Sequence, residues 1–275
     1  MRITSVTARA ALVALLLCAM PVAAVEWTSL EGPARGFPAL RDLAGKKLAD
    51  GDFTQWIDNG GLHVRIVYVG ESRRIEEQAV FRQKPELIQD EWSLREMRNG
   101  KLYRQFEVSF KSRTATAKKQ TGTELGEWSD KIDVEPGRAF AGFGLTMAIK
   151  GLQKRLFRGE HVELQAVGFS PKPRVVTVEL SYGGRDRVGM SGRVLQGERF
   201  IVHPKLPLVA RLFVDAPDHQ IWLTSSAPVS FLRWEGWLAE PSDPITRVDL
   251  LPGGPSEAAT PVGTTGPRGT TGRRD

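Results

Sequence analysis

The chain has 275 residues, 41% of them hydrophobic, with 38 Lys and Arg against 32 Asp and Glu, and a formal net charge of +6. That length holds one large β domain or two small ones. Arg2 and Arg9 precede the folded part, and acidic and basic residues interleave elsewhere, as in Arg73-Arg-Ile-Glu-Glu77, so there is no basic stripe for nucleic acid and only a weak pull towards anionic headgroups.

Residues 1–24 have the pattern of a cleavable secretory signal. Arg2 and Arg9 lead into an apolar run from Ala10 to Met20, and small residues precede an expected cut after Ala24. The run is short for a membrane span, which needs roughly 20 residues; an uncleaved anchor is the rival reading. Cys18 is the single cysteine and has Leu17 before it, where a lipoprotein acceptor wants a small residue. The mature chain is therefore expected to have neither disulfide nor thiolate nucleophile, which suits a periplasmic or secreted protein of a bacterial envelope.

Residues 25–52, broken by Gly32, Pro33, Gly36 and Pro38, are expected to form a lead-in with a short helix at 40–48. Strand periodicity starts at Phe53. Val64, Ile66 and Tyr68 share one face, and Ile75, Glu77, Ala79 and Phe81 share another. Trp92 and Leu94 lead to Asn99-Gly100, the preferred central pair of a type I′ hairpin. Leu102, Phe106, Val108 and Phe110 mark the next strand, and 114–119 and 128–134 two more.

A helix is predicted over 139–157, the one long segment after the N-terminus with helical spacing of apolar residues. Leu145, Ile149, Leu152 and Leu156 form one stripe, with Phe140, Phe143 and Met147 nearly opposite. Lys150, Lys154, Arg155 and Arg158 suit its C-terminal end. Gly142 and Gly144 are expected to let the helix approach a sheet closely, since neither a P-loop nor a dinucleotide fingerprint follows them.

Strands resume with Val162, Leu164 and Ala166, then Val176 to Tyr182, with turns expected at Gly183-Gly184 and Gln196-Gly197. A helical turn is expected at 208–214 and closing strands at 221–224, 231–238 and 246–251; the Gly, Pro and Thr tail of 253–275 is expected to be disordered. The fold class is mainly β. It is a curved antiparallel sheet or incomplete β-barrel of about ten or eleven strands, with one central helix packed on it and residues 53–252 as a single domain.

Chemistry is sparse. His161 and Glu163 share a strand face and could in principle join His203 or Asp218-His219 at a metal, but the polar face of a half-buried strand is the preferred reading. A triad of Ser170 or Ser191 with His203 and Asp215 has no nucleophile elbow around it. Glu76 and Glu77 are adjacent and face opposite sides, while Glu235 and Glu240 flank Trp237 as a sugar-cleaving pair would. No catalytic residue, metal or cofactor is expected.

The layout resembles the periplasmic lipoprotein-carrier family over roughly residues 53–251. The strand start Pro171-Lys-Pro-Arg174 and the closing run Arg233-Trp-Glu-Gly, Glu240-Pro-Ser-Asp-Pro, Arg247-Val-Asp-Leu250 also resemble uncharacterised exported bacterial proteins of that shape. The family is an incomplete barrel with helical lid elements, and the resemblance implies acyl-chain binding between sheet and lid. It implies no catalytic residue.

The expected function is non-enzymatic binding of a hydrophobic small molecule or lipid. Phe143, Leu145, Met147, Ile149 and Leu152 on the helix, with Trp222 and Trp234 on strands, are the expected cavity wall, which Met147→Trp should fill. An envelope structural or interaction protein with a solid core is the alternative, and a hydrolase of an envelope sugar or lipid the third.

Overall fold

In the computed structural model, which describes Val25 and residues 30–190, 193–205 and 217–251, fifteen strands form one sheet. Eight precede the helix: β1 (Ala34–Asp42), β2 (Lys47–Asp58), β3 (Gly61–Val69), β4 (Arg73–Arg82), β5 (Ile88–Arg98), β6 (Lys101–Ser109), β7 (Thr114–Thr121) and β8 (Glu124–Lys131). The two-residue β9 (Ala139–Phe140) leads into α1 (Gly144–Phe157). Six follow: β10 (Val162–Ser170), β11 (Lys172–Met190), β12 (Arg193–Pro204), β13 (His219–Thr224), β14 (Phe231–Trp237) and β15 (Ile245–Leu251).

The sheet is a meander cut once and rejoined. β8 to β1 run in reverse chain order, β1 pairs with β15, and β15 descends to β10 and β9. Every pairing is antiparallel except β9 with β10. β11 comes back against β7 and β8, so the sheet curls on itself without closing.

The strand count exceeds the expected ten or eleven, partly because residues 25–52 are not a lead-in. They supply β1 and the start of β2, and β1 joins the two halves of the sheet. The helix expected at 40–48 is strand and turn instead. Leu40 and Ala49 face each other across β1 and β2, both buried, so long-range pairing overrides local propensity. The turns expected at Gly183-Gly184 and Gln196-Gly197 are also strand: β11 and β12 pass through them with a bulge at Tyr182/Gly184. Asn99-Gly100 has the two positive φ angles (49° and 75°) that a type I′ turn needs, and Asn59-Gly60 between β2 and β3 matches it (48° and 76°). Residues 1–24, Leu208–Val214 and the tail from 253 lie outside the described residues.

Among the described residues α1 is the single α-helix, and none is long and apolar enough to cross a membrane. It starts at Gly144, not at residue 139, because Ala139 and Phe140 pair with β10 and Gly142 has φ +51°, outside the helical region. Met147, Ile149, Leu152 and Leu156 are fully or almost fully buried, each such burial contributing about 1.5–3 kcal/mol. β10 is covered on both faces. Val162 and Leu164 are buried on one, while on the other Phe169 stacks on Phe106 at 4.4 Å and on Trp92 at 5.9 Å.

Candidate functional site

The concave face of the sheet and α1 enclose a cavity of about 1010 Å³. That lies at the top of the ~300–1,000 Å³ range of ligand pockets. Phe53 and Ile66 from the first half of the sheet, Val176, Val202 and Ile221 from the second, and Leu145 from the helix line it. The wall is apolar because each strand turns alternate side chains inward.

Polar and charged residues of the lining include Glu31, Gln55, Lys150, Arg174 and His219, and the most consequential is Glu77. It occupies an inward position of β4 between Ile75 and Ala79, both buried. Its Oε1 accepts from Trp92 Nε1 at 2.8 Å and from the Phe143 backbone N at 2.7 Å. The start of α1 has no side-chain cap of its own and no acid in its first turn. Glu77 therefore serves as the helix cap from the neighbouring sheet, placing a carboxylate at the positive end of the helix. Burial raises the Glu77 pKa, and its two hydrogen bonds only partly oppose that. Beside it, Gln89 accepts from the Ala141 N–H (2.8 Å) and donates to the Ala141 carbonyl (3.2 Å).

These contacts need the glycines. A Cβ on Gly142 would lie 2.1 Å from Glu77 Oε1 and 2.2 Å from Trp92 Nε1; on Gly144 it would lie 2.3 Å from Gln89 Oε1. The close approach read from the sequence is present at both positions.

The middle of the helix is fastened differently. Lys150 pairs with Glu31 at 2.5 Å. Gln55 donates to the Gly32 carbonyl at 2.6 Å, and Gln83 exchanges two hydrogen bonds with the Glu31 backbone. This stretch of chain before β1 forms part of the cavity rim.

Opposite it, a buried ionic cluster holds the connection between β14 and β15. Arg104 of β6 is fully buried, and its guanidinium contacts Glu96 (2.8 Å), Glu240 (2.8 Å) and both oxygens of Asp243 (2.9 Å each). Lys119 adds a pair with Glu240 at 2.7 Å, and Arg73 and Arg98 add pairs with Glu96 at 2.7 and 2.6 Å. Asp243 also accepts from the backbone N of Ala239 and Glu240. The loop so held places Leu238, Ala239 and Pro241 on the cavity wall.

Of the seven residues expected to wall the cavity, Phe143, Leu145 and Trp234 line it. Met147, Ile149 and Leu152 do not: they are 0–2% exposed and belong to the solid core. Trp222 lies in a separate small cluster with Val188 and Leu232, its Nε1 donating to Asp186 at 2.9 Å. Strand period two explains this, because Ile221 takes the inward position and Trp222 must face the other way. Met147→Trp should accordingly overpack the core at a cost of about 1–3 kcal/mol. A thermal melt is expected to fall by roughly 2–12 °C; an unchanged melt would contradict the packing at Met147.

Among the described residues neither the carboxylate pairs nor the histidine set assembles. Glu235 pairs with Arg247 on the opposite strand, while Glu240 is committed to Arg104 and Lys119. Glu76 faces outward onto Arg65 at 2.7 Å and Glu77 inward, as their adjacency required. His161 contacts Glu179 and His203 contacts Asp218. His219 lies beside Trp237 and Trp234, and burial lowers its pKa to about 4. Among the described residues no group of three or more His, Cys, Asp or Glu could hold a metal. Ser191 and Asp215 lie outside those residues.

No protein family and no curated protein matches the chain. Solved structures similar in shape include the following two. One is a beta-barrel-like protein of a domain of unknown function, DUF1849, from Brucella abortus, with TM-score 0.47 and 10% identity over 80% of this chain and 96% of that one. The other is the hypothetical lipoprotein YmcC of Escherichia coli K12, with TM-score 0.36 and 10% identity over 82% of this chain and 86% of that one.

Proposed function

We propose that the protein is an exported, non-enzymatic carrier that binds a lipid or other apolar molecule between its sheet and its helix. The observation that carries this is the cavity of about 1010 Å³ with apolar walls. A void of that size gives up dispersion contacts that a solid core would keep. An apolar guest recovers them and leaves water at the same time. The signal-like residues 1–24 support export, and the resemblance to lipoprotein carriers points to acyl chains.

Gly168 provides the test. It lies on the cavity wall and shares the face of Ala166, and a Cβ there would meet nothing within 4 Å. Gly168→Phe should therefore occupy the cavity without displacing the core, changing the melting temperature by no more than about 2 °C. Mature protein purified without detergent is examined by native mass spectrometry, then extracted with solvent. The wild type should carry a reproducible lipid and the variant should be empty. A wild type that stays empty after lipids are added would overturn the carrier reading.

A further inference from the structure

We propose, building on the carrier reading, that the cavity selects a neutral, hydroxyl-bearing amphiphile whose hydroxyl binds at Tyr68, Glu77 and Thr146. Tyr68 and Thr146 are each 4% exposed and line the cavity, and neither hydroxyl has a partner among the described residues. Glu77 also faces the cavity. Its Oε1 takes two donors, while Oε2 has no partner among the described residues.

The three groups converge through the fold. Ile66 is opposite Glu77 and Tyr68 is opposite Ile75, so Tyr68 is the diagonal neighbour of Glu77 on the same face, a separation of about 7–8 Å between backbones. Thr146 stands in the first turn of α1, next to the Phe143 N–H that binds Glu77, and lines the same cavity. Gly51 leaves the space that the Tyr68 ring occupies, since a Cβ there would lie 3.0 Å from Tyr68 Cδ1.

The Tyr68 and Thr146 hydroxyls and Glu77 Oε2 open onto the cavity without a protein partner among the described residues, so a ligand that fills it must either pair with them or strip them of water at a cost. A ligand hydroxyl pairs with them without bringing charge inside. It donates to Glu77 Oε2 and accepts from Tyr68 or Thr146. A carboxylate or phosphate would place a second acidic group beside Glu77 in low dielectric. An ammonium would have to give up its hydration against a wall that is mostly apolar, with a single carboxylate, already engaged by two donors, to compensate it. The Tyr68 phenol supports the same assignment: burial, and then the Glu77 charge, push its pKa up, so it remains a donor.

The test compares monolauroylglycerol, laurate and dodecylammonium by isothermal titration with wild type, Glu77→Gln and Tyr68→Phe. Wild type should bind monolauroylglycerol about tenfold more tightly than laurate. Glu77→Gln, which keeps an acceptor for Trp92 and Phe143, should narrow that gap to about threefold or less by improving laurate. Tyr68→Phe should weaken monolauroylglycerol alone, and melting curves check that both variants fold. Equal binding of all three ligands by wild type and Glu77→Gln would overturn the polar selection but leave the carrier reading standing. Preference for dodecylammonium would overturn it in favour of a cation. Binding of none of the three would overturn the carrier reading itself.

Discussion

Arg104→Met is expected to destabilise the protein by about 3–5 kcal/mol, because it leaves buried carboxylates without their cation. For a domain of this size that is roughly 6–20 °C in melting temperature. The Arg104 side chain is 0% exposed, and so is Glu96; Glu240 is 2% and Asp243 13% exposed. Neither Lys119 nor Arg73 reaches all three acids, so no second cation takes over. Arg104→Lys keeps the charge but loses the paired contacts to Asp243, and should fall between wild type and Arg104→Met.

The pH dependence separates lost charge from lost packing. Burial alone would raise Glu96 and Asp243, but Arg104 and the other donors outweigh it and hold both below their ordinary values of 4.5 and 3.8. A carboxyl depressed in the folded state contributes stability above its unfolded pKa and loses it as pH falls through the folded one. In Arg104→Met the burial remains and the cation is gone, so these acids shift upward and protonation relieves them. Urea denaturation should therefore show a larger gap between wild type and variant at pH 7 than at pH 4. An equal gap would mean that Arg104 acts through packing alone. Loosening this cluster should also free the loop carrying Leu238, Ala239 and Pro241, and with it part of the cavity wall.

The residues that build both polar features were visible in the sequence as exceptions to a pattern. Glu77 sits among Ile75, Ala79 and Phe81, and Arg104 between Leu102 and Phe106. Each is a charge at an inward register of a half-apolar strand, which calls for a buried partner. The partners were not visible. Glu240 and Asp243 are 136 and 139 residues from Arg104, and only the curl of the sheet brings them together.

The same limit explains the errors in the fold. Periodicity identifies a strand but not what covers its second face, so nothing local marks β10 as enclosed on both sides. Leu40 opens the helix expected at 40–48, yet it and Ala39 are 0% exposed within β1, which pairs with β2 and β15. On α1, apolar spacing located the helix but not which stripe meets the cavity. Leu145 and Met147 are both apolar, and only Leu145 lines it. Trp222 was separable in principle from Ile221 by strand alternation.

Gly142→Ala is expected to be the most damaging small substitution at the helix, at about 3–5 kcal/mol. Two effects add. The residue has φ +51°, where an L side chain is strained by about 1–2 kcal/mol. The new methyl also meets Glu77 Oε1 at 2.1 Å and Trp92 Nε1 at 2.2 Å, so the carboxylate that caps α1 must move. Moving it breaks the bonds from Trp92 and Phe143 and leaves a half-buried carboxyl without donors. Gly159→Ala is the control. Gly159 has φ +81° just past the helix end, but a Cβ there meets nothing within 4 Å. It should show the backbone strain alone, about 1–2 kcal/mol. The excess in Gly142→Ala then measures the seating of the helix on Glu77. Hydrogen exchange should show lost protection over the first turn of α1 in Gly142→Ala but not in Gly159→Ala. Equal losses in the two variants would mean that the helix is held by its apolar face alone.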